Sequence, residues 1–270
     1  MFSKIKIGVG AAALLLLAFT ACDKQAKNAY QKDDKLATED TLKKSKVLFV
    51  FTSTITKGTT GEKTGFTLTE AAQPWLAFSD AGYVIDFASP KGGKVSVDTL
   101  KFEDQGDHIF WNDQGVQSKL NNTMLPQNVK IGDYMAVFFV GGHGTMWDFA
   151  DSASIAKLAV DVYEKGGIVG SVCHGAAALI NAKLATGQYI IDGKNITGFT
   201  NAEEKAVKMD KVVPYLLESE LVKKGGKFIA KPNWQANVQV ADRLVTGQNP
   251  ASAKGVGEEM VKLLKNISAR

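Results

Sequence analysis

One stretch constrains this chain more than any other: Gly166-Gly167-Ile168-Val169-Gly170-Ser171-Val172-Cys173-His174-Gly175-Ala176-Ala177-Ala178-Leu179-Ile180. Ile168 to Val172 carries no charge and reads as a strand buried on both faces, and at Cys173 it passes straight into Ala-rich helical sequence. A chain that turns from buried strand to helix at one residue needs a strained corner with small side chains two positions to either side. Ser171 and Gly175 occupy those positions. Steps of this kind belong to parallel sheets covered by helices, where chemistry gathers at the carboxyl ends of the strands.

The alternation continues along the chain. Val47 to Phe51 is an apolar run that reads as the first central strand. Glu70 to Gly82 places Trp75, Leu76, Phe78 and Ala81 at helical spacing and closes on glycine. Tyr83 to Ala88 is a strand ended by Ser89-Pro90-Lys91-Gly92-Gly93, and Tyr134 to Val140 is another, ended by Gly141-Gly142-His143-Gly144. Helices are expected from about Trp147 to Glu164 and from His174 to Leu184. The fold class is therefore α/β, a mostly parallel sheet with helices on both faces, over residues 46–270 as one domain. The polar segment between Gly92 and Asp133, with Phe110 and Trp111, reads either as an insertion or lid beside the site or as surface decoration. An exposed apolar patch around that aromatic pair would speak for client binding.

Composition allows such a core and removes other classes. The chain is 45% hydrophobic with 26 Gly, 6 Pro and 2 Cys, which excludes disordered, collagen-like and disulfide-scaffold proteins. Its 32 basic and 28 acidic residues are interspersed, so it lacks the basic stripe of a nucleic-acid binder.

The first residues read as an address. Lys4 and Lys6 precede an uncharged run from Ile7 to Ala21. As a helix that run spans roughly 22 Å, short of the ~30 Å hydrocarbon core, so it fits a signal-peptide hydrophobic region over residues 1–21. Phe19-Thr20-Ala21-Cys22 resembles a bacterial lipobox, with Phe19 where Leu is usual, and this makes Cys22 the acylated first residue. Residues 22–45 then form a polar tether, and Asp23 resembles a signal for inner-membrane retention. Loss of residues 1–21 removes two lysines and no acid, taking the formal charge from +4 to +2. The expected location is the cell envelope, with a lipid-anchored protein facing the periplasm or the exterior and no disulfide between Cys22 and Cys173.

Cys173 reads as a nucleophile, since a thiol at a helix N-terminus lies near unpaired N–H groups that favour thiolate; an inert buried cysteine is the plainer alternative. Glu70 suits a general acid or base, but Thr67-Leu68-Thr69-Glu70 also matches a capping box, as does Asn201-Ala202-Glu203-Glu204. Gly141-Gly142-His143-Gly144 offers backbone N–H groups to an oxyanion, or a flexible turn. His108, His143 and His174 with one cysteine left after processing argue against a closed structural zinc site, and His108 reads as inert.

Six motifs occur in one order: Lys63-Thr64-Gly65-Phe66 leading to Glu70, Phe87 to Gly93, Gly141-Gly142-His143-Gly144-Thr145, Val172-Cys173-His174-Gly175, Gly198-Phe199-Thr200, and Thr246 to Ser252. Together they resemble the PfpI superfamily of class I glutamine amidotransferase-like proteins, and within it the branch of glutathione-independent glyoxalases (glyoxalase III) and stress chaperones. The resemblance covers roughly Lys46 to Leu264. It implies a flavodoxin-like three-layer sandwich, catalytic Cys173, Glu70 and His174, an acidic residue orienting the histidine at Glu204 rather than Glu203, and an oxyanion site at the backbone of Gly142 and His174. It also implies a small 2-oxoaldehyde such as methylglyoxal as substrate, neither metal nor cofactor, and dimerisation as a common assembly. Two alternatives stay open: a chaperone or redox-sensing binding protein in which Cys173 is oxidised, and a cysteine amidase or peptidase. Against the last stands geometry, since a histidine adjacent in sequence does not automatically point at the thiol.

Overall fold

The structure, a computed structural model, describes residues 46–268; the signal segment, Cys22 and the tether lie outside the described residues. Strands β1 (Lys46–Val50), β2 (Val84–Ala88), β3 (Tyr134–Phe139), β4 (Ile168–Val172), β7 (Val238–Ala241) and β8 (Leu244–Gly247) form one sheet in the order β2-β1-β3-β4-β8-β7. All neighbours are parallel except the edge pair β7–β8. Two short strands, β5 (Asn195–Ile196) and β6 (Lys227–Phe228), pair separately.

The uncharged strand sequences explain the placement, because a central parallel strand has no solvent face. Val47 to Val50 and all of β4 are buried. In the register of β1 with its neighbours, Phe49 lies opposite both Phe87 and Phe138. The Phe49 and Phe138 rings sit 4.9 Å apart and Phe51 and Phe87 4.8 Å apart, a continuous aromatic core beneath the site.

Helices α1 (Leu68–Asp80) and α7 (Ala253–Ser268) pack together, Gly257 allowing close approach: a Cβ there would come within 2.7 Å of Pro74 Cα. Helix α7 also lies across β4 and β8, and α4 (Ala153–Glu164) packs on β3 and β4, completing a flavodoxin-like α/β sandwich. Among the described residues no helix is long and apolar enough to cross a membrane.

The structure corrects several boundaries. The helix expected from Trp147 is a 3-10 segment, His143–Trp147, followed by α4, and the one expected over His174 to Leu184 is a 3-10 helix, Cys173–Leu179. The segment between Gly92 and Asp133 folds into two short helices, α2 (Gln105–Asn112) and α3 (Gln114–Asn121), each started by an aspartate cap, Asp104 and Asp113. Phe110 is fully buried with its ring 5.6 Å from Trp75, so it supplies no exposed patch. Buried Asp107 accepts a 2.7 Å bond from Thr69 Oγ1, which ties this segment to the turn carrying Glu70.

Candidate active site

The strand ends bring four separate pieces of chain to one place. Cys173, directly after β4, adopts φ 55°, the left-handed region that costs a non-glycine residue energy and that a nucleophile elbow requires. Gly175 must be small, because a Cβ there would overlap the Phe139 carbonyl oxygen and lie 3.1 Å from the carbonyl carbon of Val140. The Gly141–Gly142 turn after β3 is equally confined. Gly142 has φ 116°, and a Cβ on it would come within 2.7 Å of Phe66 Cα and Thr67 N. Thr67 N–H donates to Gly141 O at 3.1 Å, fastening the start of α1 to this turn.

That fastening delivers Glu70, which is fully buried in the first turn of α1. It caps nothing: Thr67 makes no side-chain cap bond, so the capping-box reading fails. A Cβ on Gly141 would overlap Glu70 Oε2 and lie 2.9 Å from Cys173 Cβ, so carboxyl and thiol flank the same point. Neither Glu70 oxygen makes a hydrogen bond of ordinary geometry. Burial raises its pKa to about 8, while the neighbouring Cys173 thiol and Thr67 pull the other way.

Burial also pushes the Cys173 thiol well above its ordinary range, and the Glu70 carboxylate adds to the shift. The His174 backbone N–H opposes it without prevailing, so the expectation of a resting thiolate is corrected. Desolvation outweighs the few N–H groups of a short 3-10 helix.

His174 Nδ1 lies 3.3 Å from Cys173 Sγ, so the adjacent histidine does point at the thiol, contrary to the geometric objection. Its Nε2 is 2.8 Å from Glu204 Oε2. Burial and the nearby His143 hold its pKa down at about 4, which leaves the ring neutral. Glu204 is held near 2 by His143 and His174 against the opposing effect of burial, and is ionised. An ionised carboxylate only accepts, so His174 carries its proton on Nε2 and presents a lone pair to the thiol.

The choice between Glu203 and Glu204 follows from the cap of α5 (Asn201–Ala206). The capping box runs from Thr200 to Glu203, one residue earlier than the Asn201 to Glu204 reading. Glu203 accepts from Thr200 N (3.1 Å), Thr200 Oγ1 (3.0 Å), Trp234 N (2.9 Å) and Asn249 Nδ2 (2.8 Å), and so binds the loop before β7 to the helix. Glu204, one helical step around, faces the histidines.

His143 is the residue whose part was not legible in the sequence beyond the Gly-rich turn. Its Nε2 lies 3.0 Å from Glu204 Oε1, and its ring centroid is 4.1 Å from that of His174. Phe199 packs against this pair, its ring 4.3 Å from His174. The donor atoms of His143, His174 and Glu204 lie within 4.8 Å of one another, the distance range of a metal ligand set. The Nε2 of each imidazole, however, is directed at its own oxygen of Glu204, so the trio is a hydrogen-bonded chain. His108 stands apart, stacked on Phe102.

Residues 62–263 match the DJ-1/PfpI family. The glutathione-independent glyoxalase HSP31 of Saccharomyces cerevisiae is 34% identical over 221 residues, covering 76% of this chain and 92% of that protein. Among solved structures, the Rapid Encystment Protein 24 KDa of Francisella tularensis superimposes with a TM-score of 0.78 at 39% identity, covering 82% of this chain and 99% of its own. Glyoxalase III of Candida albicans superimposes with a TM-score of 0.74 at 32% identity, covering 80% and 96%.

Proposed function

The chain belongs to the DJ-1/PfpI family, and from that premise we propose that it is a glutathione-independent, glyoxalase III-type enzyme converting methylglyoxal or a related 2-oxoaldehyde to the 2-hydroxy acid. The observation that carries this reading is the Cys173 thiol set between a lone-pair nitrogen 3.3 Å away and a buried carboxyl with a pKa of about 8.

In the first step Cys173 Sγ bonds to the aldehyde carbon as its proton passes to His174 Nδ1, while the N–H groups of Gly142 and His174 receive the developing oxyanion. Return of the proton to that oxygen gives a hemithioacetal. Glu70, in its ionised form, then removes the hydrogen on the former aldehyde carbon as a proton, and an enediolate forms. The same carboxyl returns the proton to the neighbouring carbon as the hydroxyl proton of the first carbon passes to the oxygen of the second, and a thioester of the 2-hydroxy acid results. A pKa of about 8 suits a group that must both take and give a proton near neutrality. Water hydrolyses the thioester and restores the thiol. One substrate carbon is oxidised and its neighbour reduced, so water is the only co-reactant.

The test is the full chain with methylglyoxal and no glutathione, lactate being measured. Cys173→Ala and Glu70→Gln abolish turnover on this reading. Unchanged methylglyoxal with the unsubstituted chain rejects it.

The N-terminal motif supports a second proposal, that residues 1–21 are removed and Cys22 is acylated, tethering the enzyme in the cell envelope. Labelled fatty acid is expected to enter the chain in a bacterial host and to be lost in Cys22→Ala. Labelling that persists in the variant refutes it.

A further inference from the structure

The glyoxalase reading employs His174 and Glu204 and leaves His143 without work. Glu204 is a buried carboxylate with two oxygens to satisfy, and His174 satisfies only Oε2. His143, from the turn after β3, reaches Oε1 at 3.0 Å. The His143 and His174 rings lie 4.1 Å apart at an interplanar angle of 39°, with Phe199 at 5.9 Å and 4.3 Å from them respectively, and the Glu204 side chain that both reach is only 2% exposed. Of the three residues His143 is the most open, with 17% of its side chain exposed.

We propose that His143 is a positioning residue for the Cys173–His174 pair. By donating Nε2–H to Oε1 of Glu204, it keeps that carboxylate an acceptor and so keeps the Nδ1 lone pair of His174 on the thiol. This deepens the proposed function and rests on it for the activity arm only.

The reasoning follows from proton placement. Without His143, one oxygen of a buried carboxylate has no partner, and the group gains by holding a proton. A protonated Glu204 can donate to His174 Nε2. That nitrogen then becomes the acceptor, the ring proton moves to Nδ1, and Nδ1–H confronts Cys173 Sγ where a base is required. No proton is gained or lost in the ring exchange; the added one comes from water onto Glu204. His143 supplies the largest influence lowering the Glu204 pKa, with His174 the other titratable group facing it. Glu203 on the same helix is engaged by Thr200, Trp234 and Asn249, and Glu70 and Cys173 lie beyond His174.

The test compares His143→Leu with His143→Gln, whose amide N–H reproduces the Nε2 donor, in the full chain labelled with 15N-histidine. Only three histidines are present, so ring nitrogens can be assigned by long-range proton–nitrogen NMR. The unsubstituted chain is expected to hold His174 as the Nε2–H form near neutral pH, His143→Leu to convert it to Nδ1–H, and His143→Gln to restore Nε2–H. In parallel, kcat with methylglyoxal is expected to fall on the order of 10²-fold or more in His143→Leu, with KM little changed and the acid limb of the pH profile moved upward. Gln is expected to recover most of the rate. If His143→Leu does not fold, His143→Ala with added imidazole takes its place, and restoration by imidazole is the expected result. A His174 tautomer unmoved by loss of His143, or a rate loss uniform with pH that neither Gln nor imidazole reverses, overturns the proposal. The tautomer is read without turnover, so failure of the glyoxalase reading shows separately as absent lactate in the unsubstituted chain.

Discussion

Glu70→Gln is expected to remove activity and yet stabilise the protein in alkali. The carboxyl is fully buried, and its pKa rises from 4.5 to about 8. A carboxyl with a raised folded-state pKa holds its proton more tightly in the native chain than in the unfolded one. Its favourable contribution is complete below about pH 4.5 and is withdrawn as pH climbs through about 8. The difference of about 3.5 units corresponds to about 5 kcal/mol at ~1.4 kcal/mol per unit. Neither Glu70 oxygen makes an ordinary hydrogen bond, and glutamine puts an amide NH2 with two buried donors in place of one of them, which costs about 1–3 kcal/mol at every pH. The variant should therefore be slightly less stable than the unsubstituted chain at pH 5 and more stable by about 2–4 kcal/mol at pH 9. Urea unfolding at pH steps from 5 to 9 measures this difference. A stability gap that stays constant with pH would refute the reasoning, because it would mean that the native carboxyl ionises as it does in the unfolded chain.

Alkylation of Cys173 by iodoacetamide should accelerate with pH and show no plateau below about pH 9, following the upward shift of the thiol; a plateau near neutrality would contradict it. Glu203→Ala strips the acceptor from four donors and should cost about 2–4 kcal/mol in chemical unfolding, while the folded fraction keeps most of its rate. Glu204→Gln should show the reverse, a rate loss on the order of 10²-fold or more with a smaller stability change. If instead Glu203 governs rate and Glu204 only stability, their assignments must be exchanged. Gly175→Ala should destabilise by about 1–3 kcal/mol, because the added methyl meets the backbone of Phe139 and Val140, which cannot swing aside.

The strands and the elbow were legible because their signals are local: an uncharged run of five residues, β4, has to be buried, and small residues at fixed offsets mark Cys173. Glu70 was ambiguous, since a cap and a catalytic carboxyl place the same residue at the same helical position. Only the pairing of Thr67 with Gly141 across the sheet separates them. The frame of the α5 cap is ambiguous by one residue in sequence, as Thr200 and Asn201 are both good N-caps and the choice lies with Trp234 and Asn249, distant in sequence. The charge state of the thiol is not legible, because a helix terminus is visible in sequence and the depth of burial over it is not. The side-chain role of His143 is not legible in sequence because its partner lies 61 residues away.

The same remoteness makes enzymatic activity a stringent reporter of completed folding. Glu70, Gly142 and Cys173 follow β1, β3 and β4 of the main sheet and Glu204 follows the separate strand β5, so these groups meet only after the intervening connections have closed. Parallel pairings of this range form late, since chain closure precedes the contacts that reward it. During refolding, helical signal should return before the reaction does. Cys173 and His174 are neighbours in the chain, but Glu70 and Gly142 join them only when β1, β3 and β4 have paired, so a half-folded form carries the thiol without its carboxyl and its oxyanion site.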